Sequence, residues 1–583
     1  MPQLGTSMRQ VMQARRPQLA ELGVFLLVVA LPLVFTPFSA SPFGDPKLVV
    51  LTAGTLALWG SGLQLDRRLS LAAAVWVGIT IVAALVGVDP TVGLTARTEG
   101  SGGGAILIAC VGVLAVLGAA LPIDLRDSAR RWVVVSGAVV AALGLTVRVF
   151  PGLSTLMPSD IEMIGATVGN QLFAAAFVAV ALAAAIGGAA RTPLKDGEDT
   201  RDALDLRSVG LVAFLAMGAA TFGERSSIVL PVVATAAVLW RAKLGARATF
   251  VMAAAVIGPV LVWQLLDATA FPDTTGRGEA VTGITAQTTD LDRMTTWRTM
   301  ARGALDRLML GWGPGSADSA YLATATSADI DETGRGWSDA HNLFIETCVT
   351  SGILGLAALV WLVALLVVRS FRGSPDQAWA FGAAAGLAAY SLVEPLGLVL
   401  TPLLFLFAGV AAAPPSTILS NIEAGIPSGD WPSRRSRILS LAVALALSIA
   451  AIVSVQMLVA ASLERWGRVY GETWALESAL RIQPWRLSAS EVLALSWALD
   501  GRAGDEAAGE RARGLIAEAV RDHPWDSQVR LRAADIETLL RDEAAARAWI
   551  EQHLERFPGD SRGLVEAREG GDGIPGENPL PGA

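Results

Sequence analysis

Apolar stretches long enough to cross a bilayer recur from near residue 19 to about residue 460, and this feature constrains the chain more than any other. A run of about 18 or more apolar residues argues a transmembrane helix. About thirteen spans are expected, near 19–40, 47–65, 69–88, 103–123, 131–150, 168–190, 206–222, 226–241, 247–266, 345–368, 377–394, 396–413 and 437–460. The expected fold class is therefore all-α, a polytopic transmembrane helical bundle. Composition agrees: 17% of residues are charged and mean hydropathy is +0.51, against roughly 25% charged in soluble domains. The first run lacks a small-residue cleavage pattern and reads as a retained anchor. The net charge of −8 comes with no basic domain, so nothing points to nucleic acid. Cys110 and Cys348 both lie in apolar runs, outside any disulfide framework or zinc spacing.

Lys and Arg in the short loops orient the bundle. One set of alternate loops holds Arg15 and Arg16, Arg67 and Arg68, Arg130 and Arg131, and later Arg369, Arg372, Arg434 and Arg435. The opposite short loops hold little beyond Lys47, Arg97, Arg148 and Arg225. On this bias residues 1–18 are a cytoplasmic N-terminus, 19–266 and 345–462 form the two parts of the bundle, and 267–344 is an extracytoplasmic loop.

The loop opens with "FPDTTGRGEAVTGITAQTTD", which has no periodicity and reads as mobile, a gate over whatever lies beneath. Then "RMTTWRTMARGALDRLML" places Met294, Trp297, Ala301, Ala304, Leu305 and Leu308 on one helical face. That helix is expected on the bundle or in the bilayer interface, and "GWGPGS" ends it. A second extracytoplasmic piece, 463–567, is rich in Ala, Leu, Arg and Glu. There "QPWRLSA", "HPWDSQV" and "FPGDSRG" carry prolines at 484, 524 and 558. A period near 34 with a closing proline resembles tetratricopeptide repeats. Residues 568–583 are Gly/Pro-rich and read as a disordered tail.

Four basic groups meet spans on the outer side: Arg97, Arg225, Arg293 and His341. Charge at membrane depth is costly, so such a set suits an anionic ligand together with a proton acceptor. Each also has a plainer reading. A span-end arginine snorkels to headgroups, Arg225 forms an internal ion pair with Glu224, and a loop histidine is solvated or structural. Asp329, Asp331 and Glu332 suggest a divalent cation or, more simply, a solvated loop face, because a full ligand set is missing.

The module "RMTTW…GWGPG…HNLFIETCVTSGILGL", with "VGNQLFAAAF", "GERSS" and "VDPTVGLTARTEGSGG" upstream, resembles the O-antigen ligase and O-antigen polymerase superfamily of membrane glycosyltransferases over roughly residues 45–365. Glu224 stands where that family usually has Ser. Some members also carry tetratricopeptide-like repeats. The resemblance implies a GT-C-type bundle of the outer face of the cytoplasmic (inner) membrane. It implies transfer of a glycan from an undecaprenyl-diphosphate carrier to a lipid, glycan or protein hydroxyl. On that reading His341 is the general base, and Arg225, Arg293 and Arg97 bind the diphosphate. Asn342, Trp297 and Asn170 support them. Arginine neutralises a diphosphate with planar donors, and histidine is poised for proton transfer near neutrality. No metal and no cofactor is expected, and the repeats would recruit an acceptor or partner protein. A transporter, a metal-dependent GT-C enzyme using Asp329, Asp331 or Asp339, and a non-catalytic scaffold remain competing readings.

Overall fold

A computed structural model describes residues 16–95, 104–150, 163–190, 205–222, 226–270, 288–333, 337–414, 434–558 and 560. Among the described residues there is no strand. Seven helices are long and apolar enough to cross a membrane: Arg16–Leu33, Arg67–Val86, Ile123–Val149, Gln171–Ala189, Ala246–Trp263, Leu343–Arg372 and Ser440–Tyr470. Four shorter apolar helices, Ala105–Ala120, Leu206–Ala220, Val229–Ala242 and Gly397–Ala411, lie among them. Asp45–Gly60 and Ala378–Tyr390 are helices of 16 and 13 residues. Each stretch expected to span thus holds a helix, while seven meet the length and hydropathy of a full crossing.

Gln171–Ala189 is the central helix, with 83% of its apolar window buried, against 17% for Ser440–Tyr470 at the periphery. Alanine dominates its sequence, which lets Ile123–Val149, Ser226–Ala242 and Ala378–Tyr390 pack directly on it. Small residues serve membrane helices in this way because close backbone approach, not a hydrophobic drive, holds them together. Ala105–Ala120 and Gly397–Ala411 show the limit. A Cβ on Gly118 would fall 2.3 Å from Leu406 O, and one on Gly409 2.3 Å from Ala115 O.

Lys47 departs from the charge bias of the loops for a structural reason. It is buried, and its Nζ donates to Leu31 O, Val34 O and Thr167 O at 3.2, 2.6 and 2.8 Å. It therefore closes the carbonyl end of the first span, where orphan acceptors collect.

The helix that follows His341 is interrupted. Gly352 has φ +67° and ψ −173° inside Leu343–Arg372. The loop fills the gap: Trp312 N donates to Val349 O at 2.9 Å, Gly313 N to Thr350 O at 3.0 Å, and Ile353 N to Leu308 O at 2.8 Å. Gly311, Gly313 and Gly315 all have positive φ, which is how "GWGPG" turns tightly enough to reach the break. Irregular backbone in a span is tolerated where protein covers it and satisfies its polar groups.

The loop helix is Thr288–Asp306. Its expected apolar face is divided: Met294 and Leu305 are exposed, as is Leu308 just beyond, whereas Ala304 is buried with Thr295, Thr296, Thr299 and Met300. Threonines inside and large apolar groups outside suit a helix whose outer face meets lipid. The Gly/Thr-rich start of the loop at 271–287 and the tail at 568–583 lie outside the described residues.

Beyond Tyr470, five helices follow as consecutive neighbours: Thr473–Ile482, Leu487–Arg502, Glu506–Asp522, Ser527–Leu539 and Glu543–Arg556. Pro484, Pro524 and Pro558 each stand two residues after a helix ends. The helices rest on the start of Asp45–Gly60, on Asp89 after Arg67–Val86 and on the loop ahead of His341. Arg486, Glu464 and Asp45 form a buried charged cluster. His523 Nδ1 lies 2.6 Å from Asp89 Oδ2, both side chains buried. Trp525 meets Trp312 edge-on, with centroids 5.2 Å apart.

Candidate functional site

His341 is delivered by the loop immediately before the broken helix. Its φ of +48° is unusual for a residue with a Cβ, and such backbone persists where surrounding contacts fix it. They do so here. His341 N donates to Asp339 Oδ1 at 3.0 Å, and the Trp337 ring meets the imidazole edge-on at 4.7 Å. Trp297 Nε1 donates to Ala340 O at 2.8 Å, tying the loop helix to the same turn. Asn342 caps the helix: its Oδ1 accepts from Phe344 N and Ile345 N at 3.0 and 3.1 Å. Its Nδ2 donates to Leu392 O at 3.0 Å. Asn342 thus ties the start of this helix to the turn that carries Glu394.

The side chain that joins the group is Glu394, which sequence reasoning missed. Its Oε2 lies 3.0 Å from His341 Nδ1, and its Oε1 forms an ion pair with Arg293 Nη2. One carboxylate therefore bridges the expected base and one expected diphosphate binder. Glu394 is about 10% exposed and Arg293 27%, so the pair sits at a protected but open margin. The same logic that singled out Arg225 applied to Glu394: it is an acid in the short turn "SLVEPLG" between two apolar helices.

A cleft of about 720 Å³, open solvent at its mouth included, extends from His341 and Glu394 into the bundle. Its walls come from Arg67–Val86, Ala105–Ala120, Leu343–Arg372 and Gly397–Ala411. Glu346 lines it and accepts from Ala340 N at 2.8 Å.

Of the other expected residues, Arg97 and Arg225 lie outside the described residues. Asn170 caps Gln171–Ala189, accepting from Leu172 N at 2.8 Å, and is not among the residues lining the cleft. Asp329 is engaged within the loop, bonded by Arg302 Nη2 at 2.8 Å and by Thr326 N and Oγ1 at 2.8 and 2.7 Å. Burial alone would raise its carboxyl, but the Thr326 and Arg302 bonds outweigh that and hold it below the usual carboxylate value. The side chains of Asp331 and Glu332 lie outside the described residues.

No curated protein and no solved structure matches the chain. Residues 210–360, which include Arg225, Arg293, Trp297 and His341 but stop short of Glu394, match the family model described as O-antigen ligase.

Proposed function

We propose that the protein is a membrane glycosyltransferase of the O-antigen ligase type. It moves a glycan from an undecaprenyl-diphosphate carrier to an acceptor hydroxyl at the outer face of the cytoplasmic membrane. The observation that carries this reading is the His341–Glu394–Arg293 constellation at the mouth of a cleft, within and beside the segment that matches the O-antigen ligase model.

In this mechanism His341 Nδ1–H donates a hydrogen bond to the Glu394 carboxylate, which leaves the proton-accepting lone pair on Nε2, 3.5 Å from Asp339 Oδ1. Nε2 takes the acceptor's hydroxyl proton as the oxygen bonds to the anomeric carbon. The bond from that carbon to the diphosphate oxygen breaks, and undecaprenyl diphosphate leaves with the electron pair. Attack opposite the leaving group inverts the anomeric centre. Guanidinium groups stabilise the charge that develops, from preorganised positions near a low-dielectric bilayer. Arg293 supplies this through the donors not bound to Glu394, with Arg225 and Arg97 as further binders. The arginines neutralise the leaving group, so the mechanism assigns no step to a metal or cofactor. The C-terminal helices act as tetratricopeptide-like repeats that recruit the acceptor or a protein partner.

The test is a glycan gel of envelope fractions from a deletion strain carrying wild type, His341→Ala or Arg293→Ala. Variants that insert normally should accumulate lipid-linked glycan. Accumulated long chains indicate a ligase, and single units a polymerase of the same superfamily. A wild-type pattern from both variants would sink the proposal.

A further inference from the structure

The cleft is rich in hydrogen-bond acceptors. Thr80, Thr347, Thr350, Ser391 and Thr401 line it. Each directs its hydroxyl proton to a carbonyl of its own helix, at 2.7 to 3.0 Å. Their oxygen lone pairs remain for a ligand. Asp339, Glu346 and Glu394 add three carboxyl groups, and no Lys or Arg lines the cleft among the described residues. Glu346 has no cationic partner among them either. At the far end stands Trp76, 1% exposed and stacked on Phe405 at 5.4 Å. Its indole N–H has no hydrogen-bond partner, an omission that a native interior rarely leaves without a cause.

A surface of this kind suits a ligand that is rich in donors and free of negative charge. Hydroxyl protons would meet the threonine oxygens and carboxyl groups, and one ring oxygen or hydroxyl would meet the indole N–H. A uronic or phosphorylated ring would bring its charge against the Asp339 carboxylate and the lined-up acceptor oxygens, with Arg293 already paired to Glu394, and like charges at low dielectric repel strongly.

We propose that this chamber seats a sugar ring that is neutral or carries an amine, and that it rejects anionic sugars. The inference rests on reading His341 as the base, since that places the ring beside the reacting hydroxyl. The diphosphate is held apart from it, at Arg293, which does not line the cleft.

The test uses the full-length protein in nanodiscs and saturation-transfer NMR with three probes: methyl glucoside, methyl glucosaminide and methyl glucuronide. The first two should bind, and the glucuronide at least about tenfold more weakly. Trp76→Phe keeps the ring and removes the N–H, and should weaken glucoside binding about tenfold, the worth of one hydrogen bond. Thr401→Val provides a second reading should Trp76→Phe fold poorly, with a loss in the same direction. Equal binding of the glucuronide, no binding of any probe, or unchanged affinity in both Trp76→Phe and Thr401→Val overturns the proposal. His341→Ala separates the two readings. Retained glycoside binding with lost transfer supports both. Retained transfer sinks the catalytic role of His341 and leaves the chamber to stand or fall on its own binding data.

Discussion

Glu394 touches both the imidazole of His341 and the guanidinium of Arg293, so its charge should matter more than its shape. Glu394→Gln keeps the size of the side chain and removes the charge that fixes the Nδ1 proton. Transfer should fall about 100-fold or more, within the range for loss of general base function, with normal membrane insertion. The rate at which lipid-linked glycan is consumed measures it. Asp329 makes a separate prediction. Its carboxyl is held below the usual value, so its contribution is fully present above the unfolded carboxylate pKa. It is lost as pH falls through the lower folded value. Asp329→Asn should therefore destabilise at neutral pH by about 1–3 kcal/mol, and the difference from wild type should shrink on strong acidification. Thermal unfolding across pH tests this. His341 and Arg293 stand out in the sequence because polar groups at span ends are conspicuous in so apolar a chain, whereas Trp297 is singled out as a site residue only through the family resemblance. The pairing of Glu394 with His341 was not legible, because 53 residues separate them, and no spacing rule joins a loop to a turn two helices further on.

Among the elements, the broken helix carries the tightest constraint. A Cβ on Gly352 would lie 2.3 Å from both C and O of Met309, and one on Gly311 2.5 Å from Val349 O, each at a positive φ. Gly352→Ala and Gly311→Ala should each cost at least about 1–2 kcal/mol from backbone strain alone. Gly78 is the control: nothing lies within 4 Å of a Cβ there, and alanine in a helix is favoured over glycine. Melting of the three variants in detergent should rank them so. The helical content could be read from hydrophobic runs, whereas the break could not. "TCVTSGILGL" looks like an uninterrupted span, and only the backbone of residues 308–313 reveals why a glycine stands there. The loop helix shows the same limit. Its period was visible, but which side meets lipid depended on three threonines turned inward.

At the scale of the whole molecule, the C-terminal helices are fastened to the bundle at two buried polar points, Arg486 with Glu464 and His523 with Asp89. Removing one member of a buried pair typically costs about 3–5 kcal/mol. His523→Ala should loosen the docking of residues 473–556, seen as faster limited proteolysis there, without loss of membrane insertion. Asp89→Ala should do more, because Asp89 Oδ1 also accepts from Thr91 N and Val92 N at 3.1 and 3.0 Å. The helical composition of this region announces its five helices, the prolines at 484, 524 and 558 each falling two residues after a helix end. The histidine and tryptophan of "HPWDSQV" looked like repeat punctuation, and their partners lie more than 200 residues away.

The interruption at Gly352 also bears on how the chain is made. The 20 residues from Ile353 to Arg372 extend about 30 Å as a helix, enough to cross the hydrocarbon without the turns that precede them. The segment that completes those earlier turns, residues 308–313, is synthesised before them. When Gly352 leaves the ribosome, the donors that will meet Val349 O and Thr350 O already exist upstream. The order of translation therefore supplies the patch before the gap. A chain rearranged so that residues 308–313 came last would leave Val349 O and Thr350 O open until those residues arrived.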